Sequence, residues 1–218
     1  MDRNEIKLKL LLNLLTEFSE RYDEILKLNE ELIKKLEEES KIDALTGLAN
    51  RKALEEEIKK QINRIKRKGD ETLCLGLLDL DNFKLVNDTY GHLEGDKVLK
   101  EVAQILRRNL RNYDIYGRWG GDEFLIGVVD CDYINDPEKC AVCPVYQRIR
   151  LEIENIGKRY NIPLSASFGT VKIPLETDNY EEAIKIADRR LYMAKDLGKH
   201  TVVNDLVEKK LKRKDFNP

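Results

Sequence analysis

The stretch TLCLGLLDL (72–80) carries apolar residues at odd and even positions alike. Successive side chains of a strand point to opposite faces, so this run belongs at the centre of a sheet covered on both sides. Covering layers are available nearby. Leu54, Ile58, Ile62 and Ile65 precede it at helical spacing, and Val98, Leu99, Val102, Ile105 and Leu106 follow it. Between them NFKLVNDTYG reads as a short helix stopped by Gly91, and Asp96 stands where the N-cap of the next helix is expected. A hairpin follows at DIYGRWGGDEFLIGVV (114–129), then a helix over about 145–159 and a strand at 163–173. A helix over 178–197 ends at Gly198, and residues 201–203 can close the sheet as an edge strand. The predicted fold class is α/β (α+β), a mixed sheet flanked by helices and not a doubly wound one.

Ahead of this domain, residues 1–40 contain no Gly or Pro and repeat apolar residues in steps of three and four. With Leu8, Leu15, Tyr22 and Leu36 as heptad position a, Leu11, Phe18, Ile25 and Leu32 fall at d. The remaining a position is Asn29, a residue that fixes register and favours two parallel strands. The expected division is a dimeric parallel coiled coil over 1–40, a domain over 41–204 and a polar tail over 205–218. About forty residues ahead of the domain are too few for a sensor domain. Any input is then expected to arrive through the coil, unless the chain is a fragment.

A formal net charge of −2 leaves no excess of cations to neutralise a phosphate backbone, which argues against a nucleic-acid binder. Neither a signal peptide nor an apolar run of about 18 residues is present, so no membrane span is expected. Four cysteines without secretory context suit reduced thiols in the cytoplasm. Cys131, Cys140 and Cys143 form C-x₈-C-x₂-C, but no fourth metal ligand accompanies them, and bland thiols are expected; Cys74 reads as core.

The acids are more informative. Asp79 ends the apolar strand and Asp81 follows on the same face; Asp122 and Glu123 open the outgoing arm of the hairpin. If the hairpin lies beside the first strand, Asp79 and Asp122 reach one end of the sheet, where they repel unless a cation intervenes. Mg²⁺ takes hard oxygen ligands and shares them between one or two carboxylates and substrate phosphates. Gly120 and Gly121 would let a phosphate approach the backbone. On position alone, a solvated acidic turn explains the same residues.

Five segments, DALTGLANR (43–51), DLDNFKLVND (79–88), YGHLEGD (90–96), RWGGDEF (118–124) and LYMAKDLGK (191–199), resemble the GGDEF family of diguanylate cyclases in motif and order. The resemblance covers about residues 41–203. It implies a palm-like domain, similar to nucleotide cyclases and polymerases, with a central, mostly antiparallel sheet. It implies an enzyme that condenses two GTP into cyclic di-GMP and two pyrophosphates across a homodimer, with Mg²⁺ or Mn²⁺ as cofactor. Carried over, Asp79, Asp122 and the Leu80 carbonyl hold the metal. Glu123 adds a metal contact or helps to deprotonate the attacking 3′-hydroxyl. Phe83 and Lys84 fall in a loop that meets the triphosphate, with Lys195 and Lys199 on the outer phosphates. The last is more often Arg in the family, so a bidentate grip becomes a point charge. Asn87 and Asp96 take guanine, and Asp96 favours GTP over ATP because a relative accepting ATP usually has Ser there. RNYD (111–114) matches the family's RxxD product-inhibition site, with Arg111 and Asp114 as ligands of cyclic di-GMP. Two other readings remain, a silent domain that senses cyclic di-GMP through that pair, and a coiled-coil scaffold.

Overall fold

The computed structural model describes residues 3–39, 41–69, 71–129 and 144–214, and its chain divides into two compact units, Met1–Lys41 and Ile42–Pro218. Cys131, Cys140 and Cys143 lie outside the described residues.

The first unit is one helix, α1 (Arg3–Glu39). Leu11, Leu15, Phe18, Tyr22, Ile25, Leu32 and Leu36 are all exposed along it. The stripe leaves an apolar helix face in water. No helix among the described residues is long and apolar enough to cross a membrane.

In the second unit α2 (Arg51–Lys68) starts at Asn50, whose side chain accepts from the Ala53 amide, and stops at left-handed Gly69. It leads into β1 (Leu73–Asp81), followed by α3 (Phe83–Tyr90), α4 (His92–Asn109), β2 (Ile115–Gly120) and β3 (Glu123–Val129). After these come α5 (Pro144–Tyr160), β4 (Ser165–Ile173), α6 (Tyr180–Asp196), β5 (Val202–Val203) and α7 (Asp205–Lys214). The strand order is β2-β3-β1-β4-β5, antiparallel except for the parallel β4–β5 pair.

The two-faced apolar run thus becomes the central strand. Leu73, Leu75 and Leu77 pack with Leu54, Ile58 and Ile62 of α2 and Ala187 of α6 on one face. Cys74, Leu78 and Leu80 pack with Phe83, Val98 and Ile153 of the helices α3, α4 and α5 on the other. At about 25 cal/mol per Å² of apolar surface removed from water, these two layers supply the main stabilisation. Outside β2, the Arg118 amide donates to the Ala49 carbonyl at 2.9 Å. The neighbouring Gly117 has no room for a side chain, since a Cβ there would lie 2.1 Å from the Ala49 oxygen.

Two expectations need correction. Asp96 is not an N-cap. Gly91, with φ 86°, breaks the chain five residues before the expected N-cap, and α4 begins at His92 with Asp96 inside it. Residues Asp205–Lys214 are not tail but helix, capped by Asn204, whose side chain accepts from the Val207 amide at 3.0 Å. Buried cations hold that helix. Lys172 meets Asp205 at 2.9 Å, and Arg190 meets Glu208 at 2.9 Å and Glu176 at 2.5 Å while donating to the Thr170 carbonyl. Burial would lower the Arg190 pKa, yet Glu176 and Glu208 raise it. Removing one member of a buried charged group leaves the others unpaired. Arg190→Met should therefore lower unfolding stability by about 3 kcal/mol in urea titration; a change within error would mean the cluster contributes only packing.

Candidate active site

β1 stays buried to its last residue and carries Asp79 and Asp81 at that end, and β3 begins with Glu123 directly across the ladder from Asp79. Leu77 and Leu125, two residues inward, pack toward α6, so Asp79 and Glu123 lie on that face. The last turn of α6 brings Lys195 Nζ to 2.7 Å from Asp79 Oδ2. Between β2 and β3, Gly121 and Asp122 form the turn, and Gly121 takes a φ of 52° that side chains disfavour. The Leu80 amide reaches the Asp122 carbonyl at 3.4 Å, which brings the hairpin tip to the end of β1.

Arg118 fixes this tip. Its Nε donates to the Gly121 carbonyl at 2.9 Å, and its Nη1 lies 3.2 Å from Asp43 Oδ2. Asp43 in turn accepts from the Thr46 amide and hydroxyl. Burial works to raise its pKa, but the Thr46 hydrogen bonds and the Arg118 charge hold its carboxyl below the usual range. The segment before α2 is thereby tied to the turn that carries Asp122.

The electrostatics reflect the crowding of acids. Burial raises the Asp79 pKa; the Lys195 hydrogen bond opposes this and the Asp122 charge adds to it. Burial raises Glu123 as well, followed by the charges of Asp79 and Asp122. Burial works against the charged form of Lys195, but its hydrogen bond to Asp79 and the surrounding acids keep its pKa raised. Among the described residues no group of three or more His, Cys, Asp or Glu side chains converges as a ready-made metal cage.

Phe83 and Lys84 do not lie in a loop, contrary to expectation; they open α3. Asn82 precedes them with φ 62°, and its side chain does not cap the helix. It donates to the Pro163 carbonyl at 2.7 Å and accepts from Lys199 Nζ at 2.8 Å. The first amides of α3 therefore lack a side-chain cap, an arrangement suited to an anion. Phe83, Lys84, Asp79, Asp122, Lys195 and Lys199 all line one cleft of about 740 Å³. A second cleft of about 360 Å³ shares Phe83, Lys84 and Asp122 with it and adds Asn87, Asp96 and Arg118. The two clefts adjoin at Phe83, Lys84 and Asp122, with Lys195 and Lys199 on the first and Asn87 and Asp96 on the second.

Gly95 shapes the second cleft: a Cβ there would sit 1.9 Å from Asn87 Oδ1. Gly95, Asn82, Arg118 and Asp43 received no role from the sequence, although all four lie within the motif segments or beside them. Gly120 and Gly121 have open space around them.

Arg111 and Asp114 lie elsewhere, just before β2 and about 20 Å of strand from its tip. Asp114 is buried, with Oδ2 accepting from the Arg111 amide at 2.8 Å and Oδ1 from the Val129 amide at 3.1 Å. The Arg111 guanidinium donates to the Tyr113 hydroxyl at 2.5 Å.

Comparison with known proteins agrees with this architecture. The family described as diguanylate cyclase, GGDEF domain, matches residues 40–201. The chain is 35% identical over 153 residues to the probable diguanylate cyclase DgcJ of Escherichia coli, covering 70% of this chain but 29% of that protein. Among solved structures, the diguanylate cyclase SiaD of Pseudomonas aeruginosa in complex with its activator SiaC has a TM-score of 0.64 at 32% identity. That match covers 91% of this chain and 75% of SiaD. The coiled coil and GGDEF domain of DgcB from Caulobacter crescentus, in complex with c-di-GMP, also gives 0.64, at 28% identity over 87% of this chain and 98% of DgcB. Five motifs in order, a mostly antiparallel sheet with the acids at one end, and a family match over most of the domain lead to one conclusion: the chain belongs to the GGDEF family of diguanylate cyclases.

Proposed function

We propose that this chain is a diguanylate cyclase that joins two GTP into cyclic di-GMP and releases two pyrophosphates. The observation that carries this reading is the pair of clefts sharing Phe83, Lys84 and Asp122, one lined by Lys195, Lys199 and Asp79 and the other by Asn87 and Asp96. The triphosphate lies at the α3 N-terminus with Lys84, Lys195 and Lys199 on its oxygens, and guanine enters the second cleft. There Asp96 accepts from guanine N1–H and N2–H₂, donors that adenine does not present as a pair, so ATP would leave the carboxylate unpaired.

The acids fit Mg²⁺, or Mn²⁺ in its place, because Asp79 already holds the Lys195 ammonium at hydrogen-bond distance and the neighbouring carboxylates repel one another. Asp79, Asp122 and the Leu80 carbonyl would hold the ion, with Glu123 beside them and the substrate phosphates completing the set. Bound there, it supplies Lewis-acid stabilisation of charge on the phosphates. In each of two reactions a 3′-oxygen forms a bond to the α-phosphorus of the other GTP, and the bond to pyrophosphate breaks. The hydroxyl proton passes toward Glu123, whose raised pKa suits it to receive one.

One domain presents one GTP, so the second half-site comes from another copy of the chain. The exposed stripe of α1 supports a parallel homodimer that raises the local concentration of that copy. Arg111 and Asp114 are proposed as the product-inhibition pair. Asp114 retains acceptor capacity beyond its two backbone bonds, since a carboxylate offers about four lone-pair sites.

Purified protein with GTP and Mg²⁺ should yield cyclic di-GMP and pyrophosphate by chromatography, and Asp122→Ala should lose on the order of a thousandfold in rate. No product from the unaltered chain at any concentration would overturn the reading. Arg111→Ala should still turn over GTP while losing inhibition by added cyclic di-GMP; an unchanged inhibition curve would remove the RxxD role.

The charge cluster also makes a stability prediction. Because the folded pKa values of Asp79 and Glu123 are raised, the folded state holds protons that the unfolded state has released. Their contribution therefore falls as pH rises from the ordinary carboxylate range through the raised values, and the cost is complete above them. Without divalent cation, Asp79→Asn should melt higher than the parent at neutral pH. Mg²⁺ should raise the melting temperature of the parent and not of the variant, measured by differential scanning calorimetry.

A further inference from the structure

Asp81 lies two residues beyond Asp79, but its surroundings differ. It is 2% exposed. Oδ2 accepts from the Ser165 hydroxyl at 2.8 Å, and Oδ1 accepts from the Ser167 hydroxyl at 2.8 Å. Both serines belong to β4, the strand paired with this end of β1. The remaining donor comes from far along the chain: the His200 amide reaches Oδ2 at 3.0 Å.

That amide belongs to an unusual turn. Gly198, Lys199 and His200 all have positive φ, at 101°, 69° and 50°. Glycine adopts this region freely, whereas Lys and His do so only where the surroundings impose it. Here the constraints are visible. The Lys199 amide donates to the Ala194 carbonyl at 3.1 Å, and Arg150 donates to the His200 carbonyl. Asp81 holds the turn from the sheet side. The outcome is that the Lys199 side chain turns back over the end of β1, with Nζ at Asn82 and on the lining of the larger cleft. Strain retained at the edge of an anion-binding groove is informative, because a relaxed turn would not fix this direction.

We propose that Asp81 is a positioning residue that sets the left-handed turn 198–200 and thereby the grip of Lys199 on the triphosphate. Its carboxylate is taken up by the two serines and the His200 amide, and it acts through that amide. The serines on β4 fix the carboxylate, the carboxylate fixes the amide, and the amide fixes the backbone that carries the lysine. A flexible ammonium gains most from such a support, since it lacks the planar fork by which Arg organises its own contact. This inference builds on the reading of the groove as a triphosphate site, and its test separates the two.

The test uses the full chain and measures binding of inorganic triphosphate and of GTP by calorimetry, together with KM and kcat for GTP. Asp81→Asn, Lys199→Ala and the double variant are compared, with circular dichroism to confirm folding. Each single variant should weaken triphosphate binding about tenfold. The double variant should be no weaker than Lys199→Ala alone, because both changes remove one contact. KM should rise with the weaker binding while kcat changes far less. Ser167→Ala, which loosens the carboxylate and leaves its charge, should give a smaller loss of the same kind and keeps the test open if Asp81→Asn does not fold. Folded Asp81 or Ser167 variants with parental triphosphate affinity would overturn the proposal, as would losses that simply add to that of Lys199→Ala. Coupled triphosphate losses in a chain that makes no cyclic di-GMP would uphold the positioning role and sink the cyclase reading. Cyclic di-GMP synthesis without the coupling would do the reverse.

Discussion

The ion pair between Lys195 and Asp79 spans 2.7 Å and joins the last turn of α6 to the end of the central strand. Much of the domain is arranged so that this junction can exist. β1 must be covered on both faces for Asp79 to be buried at its end, and β3 must pair in register for Glu123 to stand opposite. The price is mutual repulsion among half-buried acids, visible in the raised pKa values of Asp79 and Glu123. Lys195 offsets part of that repulsion, and with Lys84 and Lys199 on the same lining it gives a groove of mixed sign. Such a groove suits a ligand that is itself strongly negative but arrives with counter-charge.

The groove is shaped by backbone held in left-handed conformations, each secured by side-chain hydrogen bonds. Arg118 secures the Gly121 turn, with Asp43 behind it. The Asn82 side chain ties its own left-handed position to Pro163 and Lys199. Asp81 reaches the turn after α6. These contacts cross long sequence separations, so the parts of the groove reinforce one another while lying on different elements.

That distribution explains what the chain disclosed before folding. The two-faced apolar run became β1, and the glycine pair with its acids became a hairpin tip, because strand periodicity and turn chemistry are local. The a and d residues of 1–40 fell on one helix for the same reason. Asp96 was misplaced as an N-cap because Gly91 breaks the chain earlier than the apolar pattern indicates. Helix α7 looked like a tail because its acids are matched by Lys172 and Arg190, which are remote in sequence and buried. Asp43, Asn82, Gly95 and Arg118 act only through contacts between elements, which no spacing rule reports. The family resemblance drew attention to their segments without saying what each touches.

The edges of the sheet carry one more consequence. On one side β5 is two residues long, and on the other the Ala49 carbonyl already takes the Arg118 amide of β2 where Gly117 lets the chain come close. A very short edge strand and an edge met by a neighbouring segment are both devices that limit edge-to-edge pairing between sheets. Such edges disfavour strand-on-strand pairing between copies, where a long open edge would invite it.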